Sequence, residues 1–135
     1  MSRRLHLAWV STKRTFDGSF TTRHRKRWKV YTKKSVAPVE TVNPRRGPRS
    51  IESAYDELLS CAPTLETYLE ARRSGPVDGV VVACFSDHAS IEALKEISDG
   101  PVVGLLDAAC ATASLVGDSF GIATTSKSWE PLLRK

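Results

Sequence analysis

The sequence lacks any apolar run close to the roughly 18 to 20 residues that a membrane-spanning helix needs, and we therefore expect no membrane-embedded chain. Cysteine is scarce: Cys61, Cys84 and Cys110 lie far apart, and no two of them form a CxxC pair. An odd number of cysteines, without a secretory signal pattern before them, favours free thiols in a reducing compartment. The sequence therefore predicts neither a disulfide framework nor a metal site, and it favours a cytoplasmic protein.

Acidic residues are almost missing from the first 50 residues, which hold 14 Lys and Arg against 2 Asp and Glu. The remaining residues have the opposite balance, with 6 basic and 13 acidic side chains. Residues 1–37 show no lasting helical or strand period, although Leu5, Leu7 and Trp9 alternate as in a short strand. We expect these residues to form a basic leader that is disordered or atypical.

Two other interpretations of the leader stay open. The run from Arg23 to Lys29 resembles a nucleic-acid arm, in which cations contact phosphates and rings stack on bases. The Arg-rich, acid-poor composition also resembles an organelle transit peptide. Nucleic acid is therefore an alternative partner, and organelle targeting is an alternative to the cytoplasm.

From residue 38 onwards, apolar runs typical of buried strands alternate with helical patterns. The first helix has Ser50 or Ser53 as its predicted N-cap, and its inward face includes Tyr55, Leu58 and Leu59. Pro63 is expected to break or kink this helix. Alternation of this kind implies a parallel sheet with right-handed crossovers. The predicted strands are 39–42, 77–83, 102–106 and 120–124, and the predicted helices are 51–62, 64–73, 90–97, 107–116 (tightly packed) and 126–133.

The segment from Val77 to His88 is the most informative part of the sequence, because its apolar run ends at Cys84 and a short polar turn follows. The carboxyl ends of parallel strands are where open α/β sheets bind ligands. Amides of the turn and a following helix N-terminus can stabilise a thiolate there. From these residues alone, Cys84 is equally well a catalytic base or nucleophile and a small buried core residue.

Four motifs together resemble the Asp/Glu/hydantoin racemase family, in particular its hydantoin and allantoin racemase branch. They are Gly47-Pro48-Arg49-Ser50-Ile51-Glu52-Ser53, Ala83-Cys84-Phe85-Ser86-Asp87, Pro101-Val102-Val103-Gly104 and Ala123-Thr124-Thr125. The resemblance implies an α/β fold, a parallel-sheet sandwich with helices on both faces, truncated relative to the family's two lobes. It divides the chain into a leader, 1–37, and a partial racemase-like domain, 38–135.

The resemblance also implies a mechanism, in which two cysteines on opposite faces of an α-carbon move a proton without a cofactor or metal. Cys84 matches the first of these cysteines. The amides of Phe85 and Ser86 would bind a substrate carbonyl or carboxylate, while Thr124, Thr125 and Ser50 would hold the ligand or shape the rim. The implied substrate is a small molecule, a hydantoin, allantoin or related amino-acid derivative. Amide donors facing the developing enolate would lower the barrier, because that charge appears only in the transition state.

Two features depart from the family's pattern. The Asn-Pro-Asn-Thr type loop that follows the family's first strand has no counterpart in residues 1–37, and the family's second cysteine falls in a later segment. Cys61 and Cys110 lie in predicted helices and do not match it. Three outcomes therefore stay open: an active racemase, a truncated chain inactive for want of the second cysteine, and a non-catalytic remnant. An uncovered sheet edge would favour association, so a homo-oligomer is also expected, unless the leader fills the place of the first strand.

Overall fold

A computed structural model describes the backbone of residues 7–11 and all of residues 39–133. The basic run at Arg23–Lys29 lies outside these ranges. Strands and helices alternate through most of the described chain. The elements are β1 (Leu7–Ser11), β2 (Val39–Val42), α1 (Ala54–Ser74), β3 (Gly79–Ala83), α2 (Ser90–Ile97), β4 (Val102–Gly104), α3 (Leu105–Val116), a short 3-10 helix (Lys127–Trp129) and α4 (Glu130–Leu133).

The four strands form one parallel sheet in the order β2-β1-β3-β4. This arrangement confirms the predicted α/β class with a parallel sheet. Strand β1 occupies an interior position: Leu7 aligns with Val39 of β2 on one side and with Gly79 of β3 on the other. One strand of the leader therefore lies where we expected the sheet to lack its first strand. The division into 1–37 and 38–135 stays a prediction.

The core lies on one face of β3 and β4, against α1 and α2. Val80 and Val82 are at most 1 % exposed, and Leu94 of α2 is fully buried. Gly104 allows α2 to approach β4 closely, since a Cβ at this position would lie 2.6 Å from Cδ1 of Ile91. Helix α2 has the predicted bounds, and two of its three predicted core residues, Ile91 and Leu94, are fully buried while Ile97 is partly buried.

The first half of helix α1 has the opposite orientation to the expected one, whereas Tyr68 in the second half is buried as predicted. The predicted inward residues Tyr55, Leu58 and Leu59 are 69 %, 69 % and 47 % exposed. The buried face instead carries Glu57, Ser60, Pro63, Thr64, Thr67 and Tyr68. This face is largely polar, and hydrogen bonds to backbone and side-chain groups satisfy most of it, which apolar periodicity cannot foresee.

Pro63 does not end α1, so of the predicted break or kink the break is wrong. The helix continues through it, and the missing N–H leaves the carbonyl of Leu59 without its usual helical donor. Gly47 packs here, because a Cβ on it would lie 3.7 Å from Cγ of Pro63 and 4.0 Å from that carbonyl oxygen. Gly47 has φ +118°, a conformation that favours glycine. At the start of the helix Ser53, the second of the two predicted N-caps, accepts a hydrogen bond from the amide of Asp56 at 3.3 Å.

The predicted strand at 120–124 is also wrong. Residues 117–126 form no strand; Phe120 and Ile122 are 48 % and 39 % exposed. Their side chains line a groove against α3 rather than extending the sheet beyond β4. Helix α3 is correspondingly loose, with only Leu106 buried, so its predicted tight packing is wrong too. Small alanine side chains permit close packing but do not create it without an opposing surface.

Gly100 provides a test of the β3–β4 connection. A Cβ at Gly100 would lie 2.1 Å from the carbonyl oxygen of Asp78, a backbone atom that cannot rotate away. The same connection is held by the hydrogen bond from the Val80 amide to the Pro101 carbonyl at 2.9 Å. We expect Gly100→Ala to lower the free energy of unfolding by about 1 to 3 kcal/mol, measured by urea denaturation. Gly121→Ala is the matched control, since its Cβ meets nothing within 4 Å; an equal loss in both variants would contradict this packing.

Candidate functional site

Cys84 follows the last residue of β3 at the carboxyl end of the parallel sheet. It is 5 % exposed and packs with the core cluster that includes Val82 and Leu132. Its sulfur also lies 3.2 Å from the hydroxyl of Ser86. The thiol thus combines features of both interpretations left open by the sequence: it is packed like a core residue, yet it has a polar partner.

Ser86 connects Cys84 to an acid that the sequence analysis missed. The Ser86 hydroxyl is 1 % exposed and lies 2.9 Å from Oε2 of Glu57 on α1. Glu57 is itself only 7 % exposed, although it is 29 positions away in the chain. The three side chains therefore form a continuous buried contact from thiol to hydroxyl to carboxyl.

The pKa of Glu57 is raised above its ordinary value. Burial is the main cause, and the negative charge of Asp87 adds to it, while the hydrogen bond from Ser86 and one from the backbone of Ala89 oppose the shift. Burial also raises the pKa of Cys61, and the charge of Glu57 contributes in the same direction. A carboxyl group with a raised pKa next to a thiol is able to hold a proton nearer to neutral pH than an exposed glutamate does.

A second hydrogen-bonded chain runs beside the first, centred on His88. Its Nδ1 accepts from the amide of Ser90 at 3.2 Å and contacts the Ser90 hydroxyl at 2.7 Å. Nε2 lies 2.7 Å from the hydroxyl of Ser60, which donates to the carbonyl of Glu57 at 2.7 Å. These contacts define a neutral imidazole that carries its proton on Nε2. His88 thereby fixes the turn after Cys84 to the helix that carries Glu57.

The remaining predicted site residues are only partly brought together. Phe85 is 39 % exposed beside the buried Cys84 and Ser86. Ser50 is half-buried at the loop before α1 and donates to the side chain of Glu52. Thr124 and Thr125 are exposed, and no hydrogen bond in the described part of the chain joins them to the Cys84 turn.

The C-terminal segment nevertheless reaches both halves of this region. Ser128 donates from its hydroxyl to the carbonyl of Glu52 at 2.8 Å, next to the Ser50 loop. The carbonyl of Leu132 accepts from the amide of Asp87 at 2.8 Å, in the turn after β3. Residues 127–133 thus connect the loop around Ser50 to the turn after Cys84. Thr124 and Thr125 lie just before these residues in the chain.

An open groove of about 270 Å³ lies beside Phe85. It is predominantly apolar, and its walls come from the turn after β3, from α3 and from the segment before the 3-10 helix. Cys110, which lies in the helix predicted to be tightly packed, is half-buried and lines this groove. The lining residues are Phe85, Ala109, Cys110, Ala113, Phe120, Gly121, Ile122 and Ala123.

Sequence reasoning missed Glu57, Ser60 and the structural role of His88. The only available sign was that Glu57 and Ser60 fall together on the face of α1 opposite its leucines, a face that a periodicity argument assigns to solvent. Within residues 7–11 and 39–133, no three His, Cys, Asp or Glu side chains are grouped so as to hold a metal ion. None of the helices in these same ranges is long and apolar enough to cross a membrane.

Comparison with known proteins identifies the family. Residues 19–135 match the model of the Asp/Glu/Hydantoin racemase family. The chain is 40 % identical over 84 residues to a hydantoin racemase of Paenarthrobacter aurescens, an alignment covering 62 % of this chain and 35 % of that protein. It is 36 % identical over 91 residues to a hydantoin racemase of Pseudomonas sp. strain NS671, covering 67 % and 36 %.

Solved structures agree with these sequence matches. Allantoin racemase from Klebsiella pneumoniae superposes with a TM-score of 0.80 at 28 % identity, covering 96 % of this chain and 51 % of that one. Allantoin racemase from Pseudomonas fluorescens has the same fold, with a TM-score of 0.77, 22 % identity, and coverage of 96 % and 52 %. The chain belongs to the Asp/Glu/hydantoin racemase family, and it spans about half the length of these structures and about a third of the two hydantoin racemases.

The buried His88 predicts an acid-sensitive fold. Burial lowers the pKa of His88 from 6.5 to about 4, so the unfolded chain binds its proton more readily than the folded chain. The stability contributed by neutral His88 is complete above pH 6.5 and declines as the pH falls towards 4, by about 3 kcal/mol in total. Urea denaturation across this range should show the decline.

The matched variant is His88→Gln, which keeps a polar side chain but cannot titrate. We expect it to be less stable at neutral pH and to lack the His88 part of the decline. The difference between the two pH profiles gives the contribution of His88 alone. The contribution of Glu57 has the opposite sign, because a raised carboxyl pKa makes stability fall as the pH rises. Identical pH profiles in the two proteins would contradict a neutral buried His88.

Proposed function

We propose that this chain is part of a cofactor-independent racemase acting on hydantoin, allantoin or a related amino-acid derivative, with Cys84 as the thiol that removes the α-proton. The observation that carries the proposal is the position of Cys84 at the carboxyl end of β3, with the Ser86 hydroxyl 3.2 Å from its sulfur, in a member of the hydantoin racemase family. Membership of the family supports racemase chemistry, and the thiol mechanism is our proposal.

The turn after Cys84 supports the binding of a carbonyl group. The amide of Asp87 is used by the carbonyl of Leu132, whereas the amides of Phe85 and Ser86 have no hydrogen-bond partner in the described part of the chain. We propose that these two amides donate hydrogen bonds to the substrate carbonyl or carboxylate. They would stabilise the enolate formed when the α-proton leaves, and losing one such donor typically costs about 2.7 to 4 kcal/mol of transition-state stabilisation.

The open groove beside Phe85 is a suitable place for the substituent on the substrate's α-carbon. Its walls are mainly apolar, and Phe85 connects it to the proposed carbonyl-binding turn. Thr124 and Thr125 follow Ala123 at the end of this groove, and we propose that they and Ser50 contact the polar part of the ligand. A small-molecule partner is therefore the favoured one, and the cytoplasmic location and self-association stay predictions.

The proposed base acts on one face of the α-carbon. Removal of the proton by the Cys84 thiolate gives a thiol and an enolate, and return of a solvent-derived proton from the same thiol exchanges hydrogen for deuterium without inversion. Inversion requires an acid on the opposite face. The test is therefore incorporation of deuterium at the α-carbon of a chiral hydantoin in heavy water, followed by NMR together with optical rotation. Exchange supports the proposal whether or not inversion accompanies it, and the absence of exchange overturns it.

A further inference from the structure

We propose that Ser86 and Glu57 form a proton relay for the Cys84 thiol, with Glu57 as a positioning residue that acts through Ser86. The use of this relay in catalysis rests on the proposed function, whereas its existence does not. The Ser86 hydroxyl lies 3.2 Å from the sulfur of Cys84 and 2.9 Å from Oε2 of Glu57, so one hydroxyl bridges the two acids. Ser86 has a single hydroxyl proton, so it donates to one of these neighbours at a time and accepts from the other.

The bridge therefore has two arrangements of its protons. In the first, the thiol donates to Ser86 and Ser86 donates to an ionised Glu57. In the second, the S–H and Ser86 O–H bonds have broken, Ser86 has gained the thiol proton, Glu57 holds the former Ser86 proton, and the negative charge lies on sulfur. No proton enters from solvent and no charge is gained. The thiolate is then ready to take the substrate's α-proton.

Burial makes this proton transfer from Cys84 to Glu57 more favourable than it would be in water. Glu57 and Ser86 are 7 % and 1 % exposed, so water competes weakly for either hydrogen bond. Direct ionisation of Cys84 beside a charged Glu57 would place two negative charges in one buried region. Transfer through Ser86 avoids that cost, because the carboxyl becomes neutral as the thiol ionises.

Three other titratable groups of the described residues lie near the bridge. Asp87, in the turn after β3, raises the pKa of Glu57, and Cys61 on α1 lies close enough for the charge of Glu57 to raise its pKa in turn. His88 contacts the same helix through Ser60 and is neutral at pH 7. None of the three interrupts the path from Cys84 through Ser86 to Glu57.

The relay makes a distinctive prediction for the titration of Cys84. An isolated thiol with a pKa of about 8.5 is about 0.3 % ionised at about pH 6. A coupled pair titrates in two steps, and proton transfer to Glu57 should give a thiolate population of a few per cent well below the thiol's own pKa. Thiolate absorbance in the ultraviolet measures this population without requiring access to the buried sulfur. Cys61→Ser and Cys110→Ser in the background leave Cys84 as the only cysteine.

In that background, Glu57→Gln should reduce the two thiolate steps to a single step, because a neutral amide has no carboxyl proton that couples to the thiol. Ser86→Ala should lower the thiolate population at about pH 6 by about tenfold, because it removes the hydroxyl that donates to the thiolate sulfur. Glu66→Gln is the matched control: Glu66 lies on the same helix, 54 % exposed and paired with Arg46, and this change should leave the titration unchanged.

The opposite result is equally informative. If Glu57 acts only through space, it is already ionised where the thiol titrates. The chain that keeps Glu57 would then show one thiolate step, at a higher pH than in Glu57→Gln, and this result would overturn the relay. An unchanged titration in Ser86→Ala would do the same. A single step near the ordinary thiol pKa in the chain that keeps Glu57 and Ser86 overturns it even if both variants fail to fold. A two-step titration without deuterium exchange would reject the proposed function alone, whereas exchange with a single-step titration would reject the relay alone.

Discussion

Cys84→Ser should reduce α-proton exchange on a chiral hydantoin by about 10² to 10⁴-fold, the range expected for loss of a general base. Serine has nearly the size of cysteine, and its hydroxyl keeps a polar contact with Ser86, so the packing of the core is largely retained. The hydroxyl is a far weaker acid than a thiol with a pKa of about 8.5, and it supplies almost no anion at neutral pH. The measurement is the initial rate of deuterium incorporation, at equal protein concentration, after a cooperative thermal melt has shown that the variant folds.

The two other cysteines can be replaced in the same way. Cys61 donates to the carbonyl of Glu57 at 3.3 Å, a contact that serine retains, and Cys110 lines the open groove. We expect Cys61→Ser to keep exchange within a few-fold of the unmodified chain, whereas Cys110→Ser changes a wall of the proposed binding groove and tests binding. Exchange that survives Cys84→Ser, or that is lost equally in Cys61→Ser, would reject Cys84 as the base.

Leu94→Ala should lower the free energy of unfolding by about 2 to 5 kcal/mol, the cost of emptying a fully buried leucine site. Leu94 is 0 % exposed on the face of α2 that packs against the sheet. Leu58→Ala is the comparison, because the helical pattern of the sequence places Leu58 in the core as well. In the structure Leu58 is 69 % exposed, so its replacement should change stability by no more than about 0.5 kcal/mol.

Urea denaturation of both variants separates the two orientations of α1. A large loss in Leu94→Ala with almost none in Leu58→Ala agrees with a buried polar face that carries Glu57 and Ser60. Equal losses would mean that α1 turns its leucines inward, which would also remove Glu57 from Ser86. The stability of Leu58→Ala is therefore a test of the geometry on which the relay depends.

Local patterns in the sequence were sufficient to predict the elements whose burial follows a simple helical or strand period. Helix α2 begins and ends where predicted, and β2 has its predicted bounds. Strand β3 starts two residues later than expected, and the first turn of α3 includes the last two residues of the predicted strand 102–106. The position of Cys84 at a strand end and the family itself were predictable too, because both depend on short contiguous motifs.

The predictions that failed concern segments whose structure depends on neighbours far away in the chain. Residues 120–124 have an apolar pattern typical of a strand, but a strand forms only where an edge accepts its hydrogen bonds, and here the segment lies against α3 instead. Helix α1 shows the same dependence. Its buried polar face is stable because Ser86 and His88, 28 or 29 positions away, supply partners for Glu57 and Ser60.

Residues adjacent along the chain were enough to predict the α/β class, the family, and the place of a single thiol at the end of β3. Contacts between distant segments were needed to place β1 inside the sheet, to turn the polar face of α1 inward, and to connect Glu57 with Cys84 through Ser86. Hydrophobic periodicity records how apolar each position is. It carries no information about which distant donor satisfies a buried acceptor, and that pairing fixes the chemistry around Cys84.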